Sequence, residues 1–215
     1  MATLPLAQRQ LWPQLGAFVG QGFVLHRGTA IALRLGHRDS LDFDFFAEHP
    51  RRREALRTAL PFLGTSSVLQ DEPNSFTVLG ALPAGEVKVS FFGSITFGRV
   101  GAPDPTEDGI AVIASLRDLL SQKLKTLMQR VQAKDYRDVS AIVRSGLPLE
   151  EGMAGAMTLF GPNFSAMECR KALAYFQGGD LASLPIADRA TLLAAVRSLP
   201  NNESLPLPFL SRSLS

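Results

Sequence analysis

Apolar and acidic residues alternate through Leu41-Asp42-Phe43-Asp44-Phe45. A β-strand sends successive side chains to opposite faces, so Leu41, Phe43 and Phe45 face a core while Asp42 and Asp44 share the other side. Similar apolar runs predict strands over residues 23–26, 67–69, 76–79 and 87–92, with turns at Pro73-Asn74 and Pro83-Ala84-Gly85. Residues 110–113 predict a short edge segment. In the same half, residues 6–20 read as a short helix interrupted or started by Pro13. Thr29 reads as the cap of a helix running to about Leu35 and closed by Gly36. Residues 51–60 predict a helix stopped at Pro61. From residue 115 the chain reads helical, with candidates over 115–131, 136–144, 149–159, 166–177 and 186–199. The fold class is α+β: a mixed α+β half over 1–113, a helical region over 114–200 packing on it, and a loose Pro- and Ser-containing tail over 201–215.

The chain has 215 residues, enough for one ordinary domain or one with an appendage. Its net charge of +2 does not by itself imply nucleic-acid binding, though it leaves room for a local basic patch. The single cysteine, Cys169, excludes an internal disulfide and suits a reducing cytoplasm. No apolar run approaches the length of a membrane span, and the first residues lack the apolar core of a secretory signal. The expectation is a cytoplasmic protein without a membrane partner.

Chemistry enters through the carboxylate pair. Two carboxylates about 7 Å apart along a strand repel each other unless a cation lies between them. Such a pair suits Mg²⁺, which is usually held by one or two carboxylates while it handles substrate phosphates. Arg27-Gly28-Thr29 forms a turn before a predicted helix, where free backbone N–H groups can meet a phosphate. On the strand Glu86-Val87-Lys88-Val89-Ser90, the residues Glu86, Lys88 and Ser90 share one face. In the helix over 115–131, the apolar stripe Leu116, Leu120, Leu124, Leu127 and Val131 places Lys123 at or near its buried side, with Arg130 one heptad later. A buried lysine needs an anionic partner, either an internal carboxylate or a nucleotide phosphate. Asp135 reads as an N-cap with Asp138 as the acid of a capping box, and Asp138 lies beside the core within reach of Lys123 or Arg130. Each feature also has a plainer reading: a solvated acidic face, an ordinary helix cap, a solvated lysine, an internal ion pair.

Taken in order, these residues resemble the AbiEii/AbiGii-type toxin nucleotidyltransferases, of the polymerase-β-like nucleotidyltransferase superfamily. The likeness rests on Gly28-Thr29-Ala30, Leu35-Gly36-His37-Arg38-x-Ser40-x-Asp42-x-Asp44-Phe45, Val87-Lys88-Val89, Asp118-Leu119-x-x-x-Lys123-Leu124 with Arg130, and Lys134-Asp135-Tyr136-x-Asp138. It runs from about Phe23 to Leu184, taking in Lys171-Ala172-Leu173-Ala174-Tyr175-Phe176 and Leu184-Pro185. The resemblance implies a mixed sheet with flanking helices followed by a helical C-terminal region. It implies transfer of a nucleotide from an NTP to an acceptor such as tRNA with Mg²⁺, and a cognate antitoxin. Carried over, it assigns Arg27, Gly28, Thr29, Lys88, Lys123 and Arg130 to nucleotide binding, Asp42 and Asp44 to metal, and Asp42, Asp44, Lys123 and Asp138 to catalysis. Two departures stand out. Arg27 replaces the first glycine of the usual Gly-Gly-Thr, and Ser90 replaces the usual third acid. Glu86 lies about 13 Å from Ser90 along an extended strand, which leaves Asp138 as the remaining acid. The alternative expectation is a degenerate relative that binds nucleotide or a partner without catalysis.

Overall fold

The structure, a computed structural model, describes residues 4–18, 20–50, 53–200 and 208–215. The chain divides into two compact units, one of Met1–Gly98, Ala102–Ser115 and Ser211–Ser215, the other of Arg99–Gly101 and Leu116–Leu210.

The first unit opens with α1 (Leu6–Leu11), continued by a 3-10 stretch, Trp12–Phe18, so the helix expected over 6–20 tightens where Pro13 withholds an N–H. Strand β1 (Val24–His26) leads directly into α2 (Arg27–Leu35), which ends at left-handed Gly36. The helix begins behind His26, not at a Thr29 cap. Thr29 is the third helical residue, and its hydroxyl is used elsewhere. Next come β2 (Asp42–Phe46), α3 (Arg53–Ala59), β3 (Ser67–Glu72), β4 (Ser75–Leu82), β5 (Gly85–Phe92), β6 (Asp104–Pro105) and β7 (Val112–Ile113). Residues 51–52, the expected start of α3, lie outside the described residues.

The strands form one mixed sheet in the order β3-β4-β5-β2-β1-β7-β6. Segment 110–113 was expected at an edge. Its β7 instead lies inside, parallel to β1 and antiparallel to β6. Strand β2 sits near the middle, antiparallel to β1 and parallel to β5. That position explains the acid/aromatic alternation. Phe43 stacks toward Trp12 at 5.7 Å between centroids, and Phe45 against Phe91 at 5.6 Å, so one sheet face is an aromatic core. Asp42 and Asp44 are left on the other. At the end of the chain, residues 201–207 lie outside the described residues. Farther on, Leu214 is buried and its N–H donates to Glu48 Oε2 at 3.1 Å.

The second unit is helical, with α4 (Leu116–Leu127), α5 (Ala133–Arg144), α6 (Leu149–Phe160), α7 (Ala166–Ala174) and α8 (Ile186–Arg197). Helix α5 starts earlier than the pattern predicts. Asp135 therefore lies inside its first turn behind N-cap Gln132, not at the cap. Helices α4 and α6 approach closely at Gly152, where an added Cβ would stand 2.3 Å from Leu120 Cγ. Buried Asp118 accepts the Val100 N–H at 2.6 Å and the Gly101 N–H at 3.1 Å, fastening Arg99–Gly101 to this unit.

Candidate active site

The expected site residues fall into two groups, one in each unit. In the first unit they share a sheet face. Register pairs Asp42 with Lys88, and Asp44 with Ser90 on one side and His26 on the other. Thr77 continues that row beyond Ser90. Residues opposite each other in register project from the same face, so His26, Asp44, Ser90 and Thr77 form a polar row across four strands. All four are buried.

Helix α2 is tied to this row. Thr29 is almost fully buried, and its hydroxyl donates to the Asp42 backbone carbonyl and lies 2.8 Å from Ser40 Oγ. The hydroxyl expected to touch a phosphate thus anchors the helix start to the strand carrying the acids. What remains for an anion is the helix N-terminus, whose first N–H groups have no intrahelical acceptor. A side chain at Gly28 would meet Arg38 Nη2 at 2.6 Å and Ser40 Oγ at 3.1 Å. Glycine is thus the residue that lets Arg38 and Ser40 close over the turn.

Both acids have cationic neighbours. Lys88 Nζ lies 2.9 Å from Asp42 Oδ2, and Arg27 Nη1 lies 3.6 Å from Asp44 Oδ1. The Arg27 guanidinium also rests over the rings of Phe46, at 5.3 Å, and Phe92, at 5.0 Å. Lys88 and Arg27 are both exposed to solvent, at 39% and 50% of their side chains. The Lys88–Asp42 pair, exposed on both sides, contributes little, about 0.2–1 kcal/mol. The Arg27–Asp44 pair instead joins an exposed guanidinium to a buried carboxylate at 3.6 Å. Both cations reach solvent, so a divalent ion can take their place. Among the described residues no three His, Cys, Asp or Glu side chains gather as a metal cluster. The Asp42/Asp44 pair, all hard oxygen, fits an ion that draws its other ligands from water and phosphate, as Mg²⁺ does. Ser90, beside Asp44 in register, has its Oγ 3.3 Å from Thr77 Oγ1.

In the second unit, Lys123 is buried and its Nζ lies 2.6 Å from Asp135 Oδ1 and 2.7 Å from Asp138 Oδ2. Arg130 Nε reaches Asp135 Oδ2 at 2.8 Å. The anionic partners of Lys123 are thus internal carboxylates. Burial by itself would raise the Asp135 carboxyl, but the hydrogen bond from Arg130 and the charge and hydrogen bond of Lys123 outweigh it and hold that group below the usual carboxylate range. Asp138 is fully buried against Lys123. A general base must come within hydrogen-bond reach of the proton it takes, and in this form Asp138 holds a lysine instead. Arg130 is the outward member of the cluster, with 44% of its side chain exposed.

The local pattern assigns no role to His26 or to the Phe46/Phe92 seat under Arg27, both of which depend on strand pairing. Ser40 stands in the run Arg38-Asp39-Ser40-Leu41-Asp42 with no role of its own assigned. The spacing Ser40-x-Asp42-x-Asp44 was the available signal for Ser40. For His26, the signal was its place at the end of a strand just before the turn.

A sequence model of the family described as "Nucleotidyl transferase AbiEii toxin, Type IV TA system" matches residues 16–198. An uncharacterized protein of Aquifex aeolicus (strain VF5) is 29% identical over 130 residues, 60% of this chain, and the match spans 62% of that relative's length. Among solved structures, a proposed nucleotidyltransferase from H. pylori superposes with a TM-score of 0.61 at 14% identity, covering 90% of this chain and 94% of the other. A nucleotidyltransferase-like antigenic protein from Paracoccidioides brasiliensis gives 0.55 at 16% identity, covering 93% and 96%. MenT4, a nucleotidyltransferase toxin from Mycobacterium tuberculosis H37Rv, gives 0.53 at 14% identity, covering 89% and 83%. The three superpositions agree on the fold.

Proposed function

The chain belongs to the AbiEii nucleotidyl transferase toxin family, and on that premise we propose that it transfers a nucleotide from an NTP to an acceptor at the face carrying Asp42 and Asp44. One observation carries this reading: Thr29 binds the N-terminus of α2 to the Asp42 carbonyl, so a phosphate-binding helix start and a carboxylate pair belong to one rigid corner. Asp42 and Asp44 would hold Mg²⁺, which supplies charge neutralisation to the triphosphate when bound. The N–H groups at Gly28 and Thr29 receive a phosphate, and Lys88 exchanges Asp42 for phosphate oxygen. In the helical unit Arg130 is the solvent-exposed member of the ion cluster, held by Asp135, which Lys123 shares. Catalysis of this kind is positioning and electrostatics. The family is described as a toxin of a Type IV TA system, which supports adding a cognate antitoxin to this proposal, with RNA as the proposed acceptor.

The test is transfer of label from each of the four NTPs to RNA by the purified protein with Mg²⁺. Product is expected with one or more NTPs, and Asp44→Asn is expected to remove it. Labelling by Asp44→Asn equal to the unaltered chain overturns the assignment.

Ser90 in place of the third acid favours a second reading, nucleotide binding without transfer. Saturable NTP binding with no product on any RNA supports it, and turnover overturns it.

No helix among the described residues is long and apolar enough to cross a membrane.

A further inference from the structure

Arg27 combines three observations. Its φ of 60° places an arginine in the left-handed region that glycine adopts without strain. Its guanidinium rests over Phe46 and Phe92, at 5.3 and 5.0 Å. Its Nη1 stands 3.6 Å from Asp44 Oδ1, a loose contact for an ion pair, with half the side chain in solvent. Lys88 meets the other acid at 2.9 Å. Each acid proposed to hold metal therefore faces a cation of its own chain.

The arrangement treats metal and nucleotide differently according to whether they come alone. A divalent ion arriving by itself must separate two cations from their carboxylates and leave them beside a new positive charge. A triphosphate arriving by itself meets two acids. When both arrive, the carboxylates pass to the metal and the released cations pass to the phosphates, so every charge keeps an opposite neighbour. The two aromatic rings keep the guanidinium seated near the corner while its hydrogen-bonding edge changes partner. We propose that Arg27 is a triphosphate-binding residue held in reserve on Asp44, and that metal and nucleotide bind as one coupled event through its exchange from carboxylate to phosphate. This inference rests on the nucleotidyltransferase reading above.

Calorimetry on the full chain tests it, titrating Mg²⁺ alone, each NTP as a non-hydrolysable analogue alone, and the two together. The unaltered protein is expected to bind Mg²⁺ about tenfold or more tightly in the presence of a saturating analogue. Arg27→Gly keeps a backbone that φ 60° suits. It is expected to bind free Mg²⁺ about three- to fivefold more tightly, having lost a weak competing ion pair. It should also bind the Mg²⁺–analogue complex more weakly, so that the coupling shrinks. Arg27→Lys, which keeps the charge without the planar fork, is expected to recover part of the coupling. Coupling of the same size in Arg27→Gly overturns the exchange and leaves the transferase reading intact. An unaltered protein that binds no Mg²⁺–analogue complex overturns both.

Discussion

Lys88 and Asp42 stand at the same level of two parallel strands, and Lys88 Nζ lies 2.9 Å from Asp42 Oδ2. The pair is about 40% exposed on both sides, so it contributes little to folding. Asp42→Asn is therefore expected to change unfolding free energy by less than about 1 kcal/mol while lowering nucleotide transfer about a hundredfold or more. Urea unfolding and the labelling assay, run on the same preparation, check both halves. A large loss of stability would mean that the acid serves the fold.

Thr29 is the joint between α2 and β2. Thr29→Val keeps the side-chain volume and removes the hydroxyl that reaches the Asp42 carbonyl and Ser40. The expected cost is about 1–3 kcal/mol, the penalty of removing the donor from a part-buried carbonyl. Nucleotide affinity should fall as well, because the helix start loses its tie to the acids. Affinity unchanged beside a measured stability loss would separate the joint from the site.

Lys123 neutralises two fully buried carboxylates, Asp135 and Asp138. Lys123→Met removes that charge and leaves both acids in the interior, for an expected loss of about 3–5 kcal/mol in urea unfolding. If the stability of this variant matches the unaltered chain, the lysine's role lies in ligand binding and not in the core.

Acid should weaken the same cluster. An unfolded aspartate takes up its proton near pH 3.9, and Asp135 in the folded state holds off protonation to a lower pH. The unfolded chain therefore binds protons first, and the stabilisation from Asp135 is complete above the unfolded value and lost as pH falls through the folded one. Arg130→Ala removes one of the groups that depress Asp135 and should flatten the fall in stability below about pH 4. An acid limb as steep as in the unaltered protein would assign that limb to other carboxylates.

How much of this was legible along the chain depends on distance. Asp42 and Asp44 opposite Phe43 and Phe45 were readable because β2 is central with an apolar face, but Leu41, expected on that face, precedes the strand and is exposed. The partners were not readable. Lys88 meets Asp42 and His26 lies opposite Asp44 through strand pairing, which local pattern does not encode. Asp135 imitated a helix cap because a carboxylate near a helix start has the same local chemistry in either role. The actual start at Ala133 shifted it one turn inward, into the ion cluster. Thr29 was misplaced for a related reason: the helix follows β1 with no intervening loop residue. Arg27 was visible as an oddity in the turn, but its two-ring seat depends on Phe46 and Phe92, brought together only by the sheet.

The passage of Arg99–Gly101 into the helical unit, and of Ser211–Ser215 back into the sheet unit, bears on how the gene can be divided. A polypeptide stopped at residue 115 keeps β1 to β7 but forfeits Leu214, whose amide binds Glu48. One begun at residue 116 forfeits the two amides that solvate the Asp118 carboxylate. Neither fragment is expected to fold as it does in the whole, so dissecting this protein calls for point substitutions, not scissors.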